Sequence, residues 1–510
     1  MHRETDRHAA HHAFGLLERL ALHAARRPDA PAIRFVGEPT GEISWRELGE
    51  RTSGVAAHLE ALEGGSRRAI LLAGNRIETQ TALLGALASG VDVLPVSPDS
   101  PPAEWTGLAR RCEASLLIES AAESGGADAW QGSRLDLATL EATPGRELGV
   151  APSVAPDGGQ PKGSILLHSS GTQGPTKIAR RSPAALDALA RNVAEGVGLG
   201  ADDVVLLTLP LCHSYAIDFA LLGAIWAGAT VELHERFVPG RATTALVEGD
   251  VSVWPAVPLM LDAVSRNAPD GRAALSDTRV ISAGSPLPPR VRERFEAAFG
   301  SRVAQLYGAS EYGAVAYSPP DAPGFDPSSV GRPLGGVEFR IVKPGQQTAH
   351  APLPAGEEGE VWVRSPSAMD GYLDAPDHPD PDGFWVTGDL GRLDAYGALF
   401  VTGRVKSLVD VGGRNVNPLE VEAVLARHPD VAEAVVFGIA YSDTATRLKA
   451  VVVPHPGREP SPTALREFAR RHLAPHKVPR TVELRREVPR SAAGKILRQQ
   501  LALQDAGTDS

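Results

Sequence analysis

The first third of the chain alternates between helical and extended patterns of apolar residues. Apolar positions recur at helical spacing over residues 14–25 and 78–88. Residues 69–72 form a short apolar run between these two segments, and the run VDVLPVSP follows the second segment and is stopped by prolines. Strands that alternate with helices are typical of an α/β fold.

Three apolar runs in the middle of the chain end in small or polar residues. The run from Val204 is apolar enough for a strand covered on both faces, and its end at Pro210 places His213 at a strand terminus. A lone histidine at such a place is more often a packed or capping residue than a functional one. Residues 280–285 and 303–308 run from apolar strands into small residues. Because ligands of open α/β sheets lie beyond the strand carboxyl ends, we expect one shared crevice there.

The last third of the chain changes character twice. After Pro333, alternating segments such as VEFRIV and GEVWVR predict a small β-subdomain. Beyond Arg404, capped helix starts at Asn417 and Ser461 flank two strand-like runs, a pattern that predicts a compact α+β domain. We therefore predict an α/β protein. Residues 1–404 form a large domain of doubly wound α/β subdomains with a small β-barrel-like subdomain, and residues 405–510 form a small mobile α+β domain.

The segment LLHSSGTQGPTK, residues 166–177, has the composition of a phosphate-binding loop between a strand and a helix capped by Ser182. Glycines let the main chain approach an anion, and hydroxyl donors together with Lys177 complement phosphate oxygens. The candidate loop residues are Ser169, Ser170, Gly171, Thr172, Gln173, Gly174 and Lys177. The loop is not of the Walker A type, because the spacing to the lysine differs and Ile178 stands where Ser or Thr would hold magnesium. A plain surface turn is the alternative interpretation.

Composition narrows the class of protein. The 510 residues are 43% hydrophobic and 22% charged, as in ordinary globular proteins of more than one domain. Residues 219–231, the longest apolar stretch, are fewer than the roughly 20 residues of a membrane helix. The N-terminal sequence MHRETDRHAAHHAF lacks the basic start and apolar core of a signal peptide. Cys112 and Cys212 form no CxxC pair, so we expect a cytoplasmic protein without a membrane span, a disulfide framework or a cysteine metal site.

The charge is unevenly distributed. A net charge of −11 argues against general nucleic-acid binding. Residues 458–500 break this trend, since they contain eleven Lys and Arg against four Glu, a local balance of +7. This balance predicts an anionic partner near the C-terminal end, and a solvated basic helix face is the alternative.

Six motifs follow one another along the chain: SSGTQGPTK, PLCHSY, YGASE, TGD at 387–389, GRVKSLVDVGGRNVNPLEVE from 403, and PRSAAGKILR from 489. In this order they resemble the adenylate-forming superfamily of acyl-CoA synthetases, peptide-synthetase adenylation domains and luciferases. The resemblance covers nearly the whole chain. It implies an AMP-forming acid:CoA ligase. Such an enzyme uses ATP to convert a carboxylate to an acyl-adenylate, releases pyrophosphate, and lets the thiol of coenzyme A displace AMP.

The resemblance also assigns nucleotide contacts. The loop ending at Lys177 would hold the β- and γ-phosphates, Glu311 would bind Mg²⁺, and Ser310 would contact the α-phosphate. Asp389, assisted by Arg404, would accept hydrogen bonds from both ribose hydroxyls. The remaining expected nucleotide contacts, with Tyr307 stacked on adenine, are Gly284, Ser285, Tyr307, Gly308 and Ala309.

The C-terminal motifs imply a moving domain. Lys495 would bridge the substrate carboxylate and the α-phosphate and neutralise charge as it develops. Lys406 stands where the family has its hinge, so we expect a rotation that removes Lys495 and brings Gly412 and Gly413 toward the thiol. The basic balance suits the phosphates of coenzyme A. No carrier domain is visible, so the thiol is expected in trans, and a homodimer is among the expected assemblies.

The acid is less well determined. In adenylation domains for α-amino acids an Asp binds the amino group; that position falls at about Tyr215 here, and Asp218 is out of register. The motif PLCHSY is more similar to those of aryl- and acyl-CoA synthetases. The expected substrate pocket for a small carboxylic acid, with His213 also a catalytic candidate, is His213, Tyr215, Trp254, Ala283, Gly284 and Ser285. Trp254 is equally well explained as a core residue.

Four residues on the phosphate side depart from the family pattern: Gln173, Thr176, Ile178 and Ser310. Ile178 is β-branched and disfavours a positive φ, and Thr176 frees a φ angle that proline would fix. One alternative is therefore an enzyme impaired in adenylation that forms thioester from a supplied adenylate. The others are a free-standing ligase that loads an acyl carrier protein and a non-catalytic nucleotide-binding relative.

Overall fold

The computed structural model describes residues 15–38, 40–62, 68–120, 130–137, 163–168, 177–269, 275, 277–373, 375, 377–411, 415–442, 445–490, 496–498 and 500–502. The chain divides into two compact units. Unit 1 comprises Met1–Ser169, Thr176–Glu338 and Arg364–His378, and unit 2 comprises Ser170–Pro175, Phe339–Val363 and Pro379–Ser510. The predicted domain boundary after residue 404 stays a prediction.

The helices of unit 1 include those expected over residues 14–25 and 78–88. Many begin with proline, whose fixed φ and missing N–H suit the first helical position. The helices are α1 (Leu16–Arg26), α2 (Trp45–Ala61), α3 (Ile77–Ser89), α4 (Pro102–Arg111), α5 (Pro183–Val197), a π-helix (Ala216–Gly223) continued by α6 (Ala224–Ala227), α7 (Pro239–Glu248), α8 (Pro258–Arg266) and α9 (Pro289–Phe299).

Unit 1 contains a nine-stranded sheet. In spatial order its strands are β15 (Arg332–Pro333), β14 (Gly313–Ser318), β13 (Val303–Ala309), β12 (Arg279–Ser282), β11 (Val253–Ala256), β9 (Val204–Leu207), β10 (Thr230–His234), β1 (Pro31–Val36) and β2 (Gly41–Ser44). The strands from β13 to β1 run parallel. At one end of the sheet β14 pairs antiparallel with both β13 and the edge strand β15, and at the other end the edge strand β2 pairs antiparallel with β1. The carboxyl ends of β9, β11, β12 and β13 therefore lie along one edge.

A seven-stranded sheet forms the rest of unit 1. In spatial order its strands are β18 (Gly371–Tyr372), β8 (Ile178–Arg181), β7 (Ile165–His168), β4 (Asp92–Val96), β3 (Arg68–Leu72), β5 (Leu116–Glu119) and β6 (Ser133–Asp136). Because β8 runs antiparallel to β7, the candidate phosphate loop connects two neighbouring strands. Our prediction of a loop between a strand and a helix was wrong: α5 begins only after β8.

Unit 2 contains the predicted β-subdomain and the α+β segment. A four-stranded sheet has the order β16 (Glu338–Val342), β17 (Gly359–Arg364), β19 (Trp385–Leu393) and β20 (Leu399–Arg404). This sheet is open, since four strands are too few to close a barrel. The remaining elements are β21 (Val409–Asp410), β22 (Asn415–Val416), α10 (Pro418–Leu425), β23 (Val431–Ser442), β24 (Ala445–Pro454), α11 (Pro462–His472) and β25 (Thr481–Leu484).

Each unit has its own apolar core. In unit 1 the fully buried strand β9 and the face of α5 that carries Leu186, Leu189 and Val193 belong to one large cluster. In unit 2, Val421 and Leu425 of α10 pack with Leu465 of α11 against β23 and β24. Among the described residues, no helix is both long and apolar enough to cross a membrane.

Candidate active site

The loop after β9 carries His213 and lies at the carboxyl-end edge of the nine-stranded sheet. The phenol of Tyr215 donates a hydrogen bond to the carbonyl of Ile281 on β12 at 2.9 Å, which brings the loop to that edge. Burial raises the pKa of Tyr215 well above its ordinary value, so this phenol stays protonated. His213 is exposed and lies beyond the strand. Our prediction of His213 at a strand terminus was wrong, because β9 ends at Leu207, ahead of Pro210.

Cys212 precedes His213, and its chemistry bears on catalysis. The thiol is buried and forms no disulfide. Burial raises the pKa of Cys212 to about 12. The thiol is therefore protonated at neutral pH, and a Cys–His nucleophile is not the chemistry of this loop.

Ser310 and Glu311 occupy the turn of a tight β-hairpin between β13 and β14. The strands approach closely at Gly308, where a Cβ atom would lie 2.3 Å from the carbonyl oxygen of Gly313. Glycine at 308 is thus required by packing against the facing strand. The strand β13 includes the small residues Gly308 and Ala309, after which the chain turns back into β14.

Glu311 and Lys177 both contact the ring system of Tyr372. The phenol of Tyr372 donates to the Glu311 carboxylate at 3.0 Å, and the Lys177 ammonium lies 4.6 Å from the centre of the Tyr372 ring. Lys177 also forms an ion pair with Asp377. The arrangement follows from strand pairing, since Tyr372 of β18 lies opposite Ala179 of β8. A carboxylate and an ammonium group are thereby held at one tyrosine side chain.

Other polar contacts surround the hairpin turn. The Ser310 hydroxyl lies 3.4 Å from the Ser214 hydroxyl, so the turn approaches the His213 loop. The phenols of Tyr307 and Tyr312 share a hydrogen bond of 3.0 Å, and their rings lie 6.0 Å apart. Tyr307 is half-buried, which leaves part of its ring accessible.

A buried arginine joins three segments of unit 1. Arg181 has no exposed surface, and its guanidinium donates to the Asp218 carboxylate at 2.6 Å. It also donates to the carbonyl oxygens of Ala309 and Ser310, both at 2.9 Å. Asp218, out of register for amine binding by sequence, is therefore engaged by Arg181.

The nucleoside candidates of unit 2 form a cross-strand pair. Asp389 on β19 lies opposite Arg404 on β20, and the Arg404 Nε donates to the Asp389 carboxylate at 2.7 Å. The Asp389 side chain is 5% exposed and that of Arg404 is 52% exposed. Thr387 accepts a hydrogen bond from the Asp389 backbone N–H, and Gly388 between them has a φ of +71°, which favours glycine. The TGD motif is thus a shaped strand segment that fixes one carboxylate.

The pocket candidates lie in different environments. Ala283 is buried, and Gly284 and Ser285 are exposed just beyond β12. Trp254 is fully buried, its indole donates to the Thr208 hydroxyl at 3.2 Å, and its ring lies 6.1 Å from that of Phe295. These contacts support the interpretation of Trp254 as a core residue, and its role as a pocket wall stays a prediction.

Ile178 does not strain the phosphate side. It belongs to β8 with its side chain fully buried, and it is not among the described residues with positive φ. We predicted that the β-branched side chain of Ile178 would disfavour a local backbone conformation with positive φ. This prediction is wrong at this position, because Ile178 lies in a strand and strands favour β-branched residues. The candidate loop residues Ser169, Ser170, Gly171, Thr172, Gln173 and Gly174, and also Thr176, lie outside the described residues.

The C-terminal candidates are described only in part. Lys406 is exposed in the 3₁₀ turn Val405–Ser407. Gly412, Gly413 and Lys495 lie outside the described residues, so their roles stay predictions. Asn417 caps α10, and its amide also donates to the carbonyl of Thr402 at 2.9 Å.

Much of the basic charge near the C-terminal end is paired. Ion pairs join Lys477 to Glu420, Arg490 to Glu433 and Arg498 to Glu422. The acidic partners precede residue 458, so a count over residues 458–500 could not include them. Arg470 and Arg471 are exposed in the last turn of α11. The cationic surface expected for an anionic partner is therefore smaller than the sequence indicated.

The residues that sequence patterns missed are Tyr372, Asp377, Ser214 and the Arg181–Asp218 pair. None belongs to the segments quoted as motifs apart from Ser214. Each of these residues meets the site through contacts between segments that are far apart in sequence, for example where β18 pairs with β8. No local periodicity carries that information.

Glu311 has the chemistry of a ligand for nucleotide-bound magnesium. Mg²⁺ in phosphate-transfer sites is usually held by one or two carboxylates together with substrate phosphates. The Glu311 carboxylate accepts from a phenol and forms no ion pair with a described Lys or Arg. Elsewhere in the part of the chain that the structure describes, no group of three or more His, Cys, Asp or Glu side chains could hold a metal ion.

Comparisons with known proteins identify relatives of this chain. Residues 20–373 match the family model described as AMP-binding enzyme, and residues 420–495 match that of the AMP-binding enzyme C-terminal domain. Indoleacetate–CoA ligase of Aromatoleum aromaticum is 30% identical, over 94% of this chain and 96% of its own. A fatty acid–[acyl-carrier-protein] ligase of Streptomyces coeruleorubidus is 29% identical, over 95% of each chain.

A solved structure shows the same fold. O-succinylbenzoate coenzyme A synthetase of Bacillus subtilis, in complex with ATP and a magnesium ion, superposes with a TM-score of 0.78 at 26% identity, over 95% of this chain and 98% of its own. The fold, the family models and the relatives agree with the resemblance of the six motifs. The chain belongs to the AMP-binding enzyme family and is an adenylate-forming enzyme of the acyl-CoA and aryl-CoA synthetase type.

Proposed function

We propose that this protein joins a carboxylic acid to coenzyme A in two steps at the expense of ATP. The observation that carries the proposal is the placement of Lys177 and Glu311 on one tyrosine ring, that of Tyr372. An ammonium group suits phosphate oxygens and a lone carboxylate suits nucleotide-bound Mg²⁺. Because Lys177 ends the candidate phosphate loop, this pair of groups suits a triphosphate with its magnesium ion.

The first step forms the acyl-adenylate. A substrate carboxylate oxygen attacks the α-phosphorus of ATP, and the bond to pyrophosphate breaks. Lys177 would bind the departing phosphates, and the Ser310 hydroxyl would contact the α-phosphate. Lys495 would offset the negative charge that develops between carboxylate and phosphate. Glu311 would hold Mg²⁺, which supplies positive charge to the phosphates when bound.

The second step forms the thioester. The thiol sulfur attacks the acyl carbon, the bond to the AMP oxygen breaks, and the thiol proton passes to solvent or a nearby base. Asp389 and Arg404 would hold the ribose through both steps, since their strand pair fixes the carboxylate. We propose that rotation at Lys406 exchanges Lys495 for the Gly412–Gly413 segment between the steps.

The proposed acid lacks an α-ammonium group. A buried carboxylate near Tyr215 would be needed to bind an amine, and Asp218 is already paired with Arg181. The Tyr215 phenol is also committed, since it donates to the carbonyl of Ile281. An aryl or acyl acid is therefore favoured over an α-amino acid. The acids in the names of the relatives differ from one another, so none is carried over to this chain.

Coenzyme A is the thiol that we favour, and an acyl carrier protein is the second candidate. One relative is named for loading a carrier protein. The exposed Arg470 and Arg471 on α11 could meet either the nucleotide phosphates of coenzyme A or an acidic carrier surface. The test below includes both thiols.

Two further alternatives predict different half-reactions. An enzyme impaired in adenylation would form thioester from supplied adenylate faster than from acid and ATP. The buried, extended Ile178 weakens the case for such impairment. A non-catalytic nucleotide-binding relative would carry out neither half-reaction.

Pyrophosphate release should be measured over a panel of aryl, acyl and amino acids, with coenzyme A, with an acyl carrier protein and without thiol. We expect release with an aryl or acyl acid and thioester formation with coenzyme A. Lys495→Ala should lose pyrophosphate release by orders of magnitude and still convert a synthetic acyl-adenylate to thioester. Pyrophosphate release with amino acids alone would refute the proposed substrate class, and equal loss of both steps in Lys495→Ala would refute the role of that lysine.

A further inference from the structure

Arg181 lies at the end of β8, four residues after Lys177, and its whole side chain is buried. No motif points to it, and its contacts with Ala309 and Ser310 are made to their backbone carbonyls. We propose that Arg181 is a positioning residue for ATP binding. Through its hydrogen bonds it holds the Ser310–Glu311 turn in place relative to Asp218 and to the strand that follows Lys177. The inference rests on the proposed function.

The geometry supports this inference because one guanidinium binds three segments. Its Nε donates to the carbonyl of Ser310 and its Nη2 to that of Ala309, at the start of the hairpin turn. Its Nη1 donates to Asp218, which belongs to the π-helix that follows the His213 loop. Arg181 itself continues the strand that begins directly after Lys177. Arg181 thus joins the strand that follows Lys177, the hairpin turn that carries Ser310 and Glu311, and the π-helix that carries Asp218.

The chemistry of the contact requires an arginine. A guanidinium presents several N–H donors in a rigid planar fork, which can bind two carbonyls and a carboxylate at once. Lysine would offer a single nitrogen and could not reproduce the two directions toward Ala309 and Ser310. A buried cation also needs a buried anion, and Asp218, which is 5% exposed, supplies it.

The turn held by Arg181 carries the groups that meet the nucleotide. Ser310 and Glu311 follow the two carbonyls directly, and the Glu311 carbonyl accepts a hydrogen bond from the Met369 backbone N–H at 2.7 Å. Tyr372 donates to the Glu311 carboxylate from the other side. Release of the two carbonyls would free the turn while leaving the Asp389–Arg404 pair of unit 2 unchanged. Binding of the Mg·ATP complex would then weaken more than binding of AMP.

The test uses the full chain and three variants. Arg181→Met combined with Asp218→Leu replaces the buried pair by apolar side chains of similar size, so no buried charge is left unpaired. Arg181→Lys keeps the cation and removes the fork. Arg279→Met is the matched control, because Arg279 also bridges two carbonyls, of Val197 and Gly198, and one carboxylate, of Asp203. Arg279 stands at the opposite end of β12 from the hairpin turn.

Calorimetry without acid should give the affinities for Mg·ATP and for AMP, and pyrophosphate release should give KM and kcat. We expect the double variant to fold with a Tm near that of the wild type, to lose at least about tenfold in affinity for Mg·ATP, and to keep its affinity for AMP within about twofold. Its KM for Mg·ATP should rise in parallel. Arg181→Lys should show the same split, and Arg279→Met should lower the Tm and leave both affinities unchanged.

The outcomes separate the inference from the proposed function. Wild-type affinity for Mg·ATP in the double variant, or an equal loss of AMP and Mg·ATP binding, would overturn the positioning role. If the double variant does not fold, Arg181→Lys decides between the same outcomes. A wild-type protein that binds no Mg·ATP and releases no pyrophosphate would overturn the proposed function. If the wild type and the Arg181 variants all bind Mg·ATP equally well, only the positioning role is overturned.

Discussion

The carboxylate of Asp389 offers a direct test of nucleotide binding, because AMP can be used as the ligand without knowing the acid. Asp389→Asn keeps the shape of the side chain and removes its charge. Arg404 donates to one Asp389 carboxylate oxygen at 2.7 Å, and the proposed contact with the ribose hydroxyls uses the charge of the same carboxylate. We therefore expect the loss of at least one hydrogen bond to a charged acceptor, worth about 1.5–3 kcal/mol. That corresponds to an affinity for AMP about 10-fold to 150-fold weaker.

The same substitution should cost little stability. Arg404 is 52% exposed, so its guanidinium remains hydrated when its partner becomes neutral. Because asparagine keeps an oxygen that can accept from the Arg404 Nε, we expect only a small change in Tm. Calorimetry measures the affinity, and a thermal melt confirms that the variant is folded. Binding and folding are thereby separated.

Asp394→Asn is the matched control for this experiment. Asp394 lies in the turn of the same hairpin and accepts hydrogen bonds from the backbone of Tyr396 and Ala398. The Asp394→Asn substitution makes the same change in charge, directly after the last residue of β19. Unchanged affinity in Asp389→Asn would remove Asp389 from the nucleotide site. An equal loss in Asp394→Asn would show that net charge, and not the position of the carboxylate, governs binding.

Three further variants are predicted to have distinct effects. Tyr372→Phe removes the donor to Glu311 and keeps the ring beside Lys177, so we expect KM for Mg·ATP in the pyrophosphate assay to rise about tenfold, the loss of one charge-assisted hydrogen bond. His23 has its pKa lowered by burial, so below about pH 6.5 the unfolded chain takes up the proton first and stability falls as the pH falls. The loss of Tm between pH 7.5 and 5.5 should therefore be smaller in His23→Gln than in the wild type. Asn417→Ala removes the cap of α10, and it should lower the stability of unit 2 by about 1–2 kcal/mol, measured as an earlier transition in urea.

Each of these expectations has its own control. An unchanged or lower KM in Tyr372→Phe would show that the phenol does not orient the carboxylate. His58→Gln changes an exposed histidine, and an equal effect of both histidine variants would refute the role of burial. Ser461→Ala removes the cap of α11 by the same mechanism, so a loss there without a loss in Asn417→Ala would contradict our account of the helix start.

The sequence determined the elements where local patterns suffice. The helix predicted over residues 78–88 is α3, and the run at residues 69–72 lies within β3. The caps at Asn417 and Ser461 both accept hydrogen bonds from the first helical turn, as their side chains predict. In each case the information lies within a few residues, because a cap or an apolar period acts over one or two helical turns.

The sequence did not determine contacts between distant segments. The sequence IARR, residues 178–181, contains two arginines and lacks the alternation of apolar and polar residues that predicts a half-buried strand. It nevertheless forms β8, which pairs with both β7 and β18. Arg181 is buried only because Asp218 and two carbonyls lie opposite it. Neither partner is near in sequence. The motif resemblance located Glu311, Asp389 and Lys177, but it could not show that Tyr372 joins two of them.

The pairing of Arg181 with Asp218 also constrains how this sequence can evolve. Loss of one member leaves a buried charge without its partner, which costs about 3–5 kcal/mol, whereas joint replacement by apolar residues is close to neutral for stability. Single steps away from the pair are therefore disfavoured, and the two positions should change together or not at all. This is epistasis imposed by burial. Relatives that lack this pair should differ from this chain at both positions. A relative that keeps the Asp218 carboxylate without an arginine partner must hold the hairpin turn by other contacts.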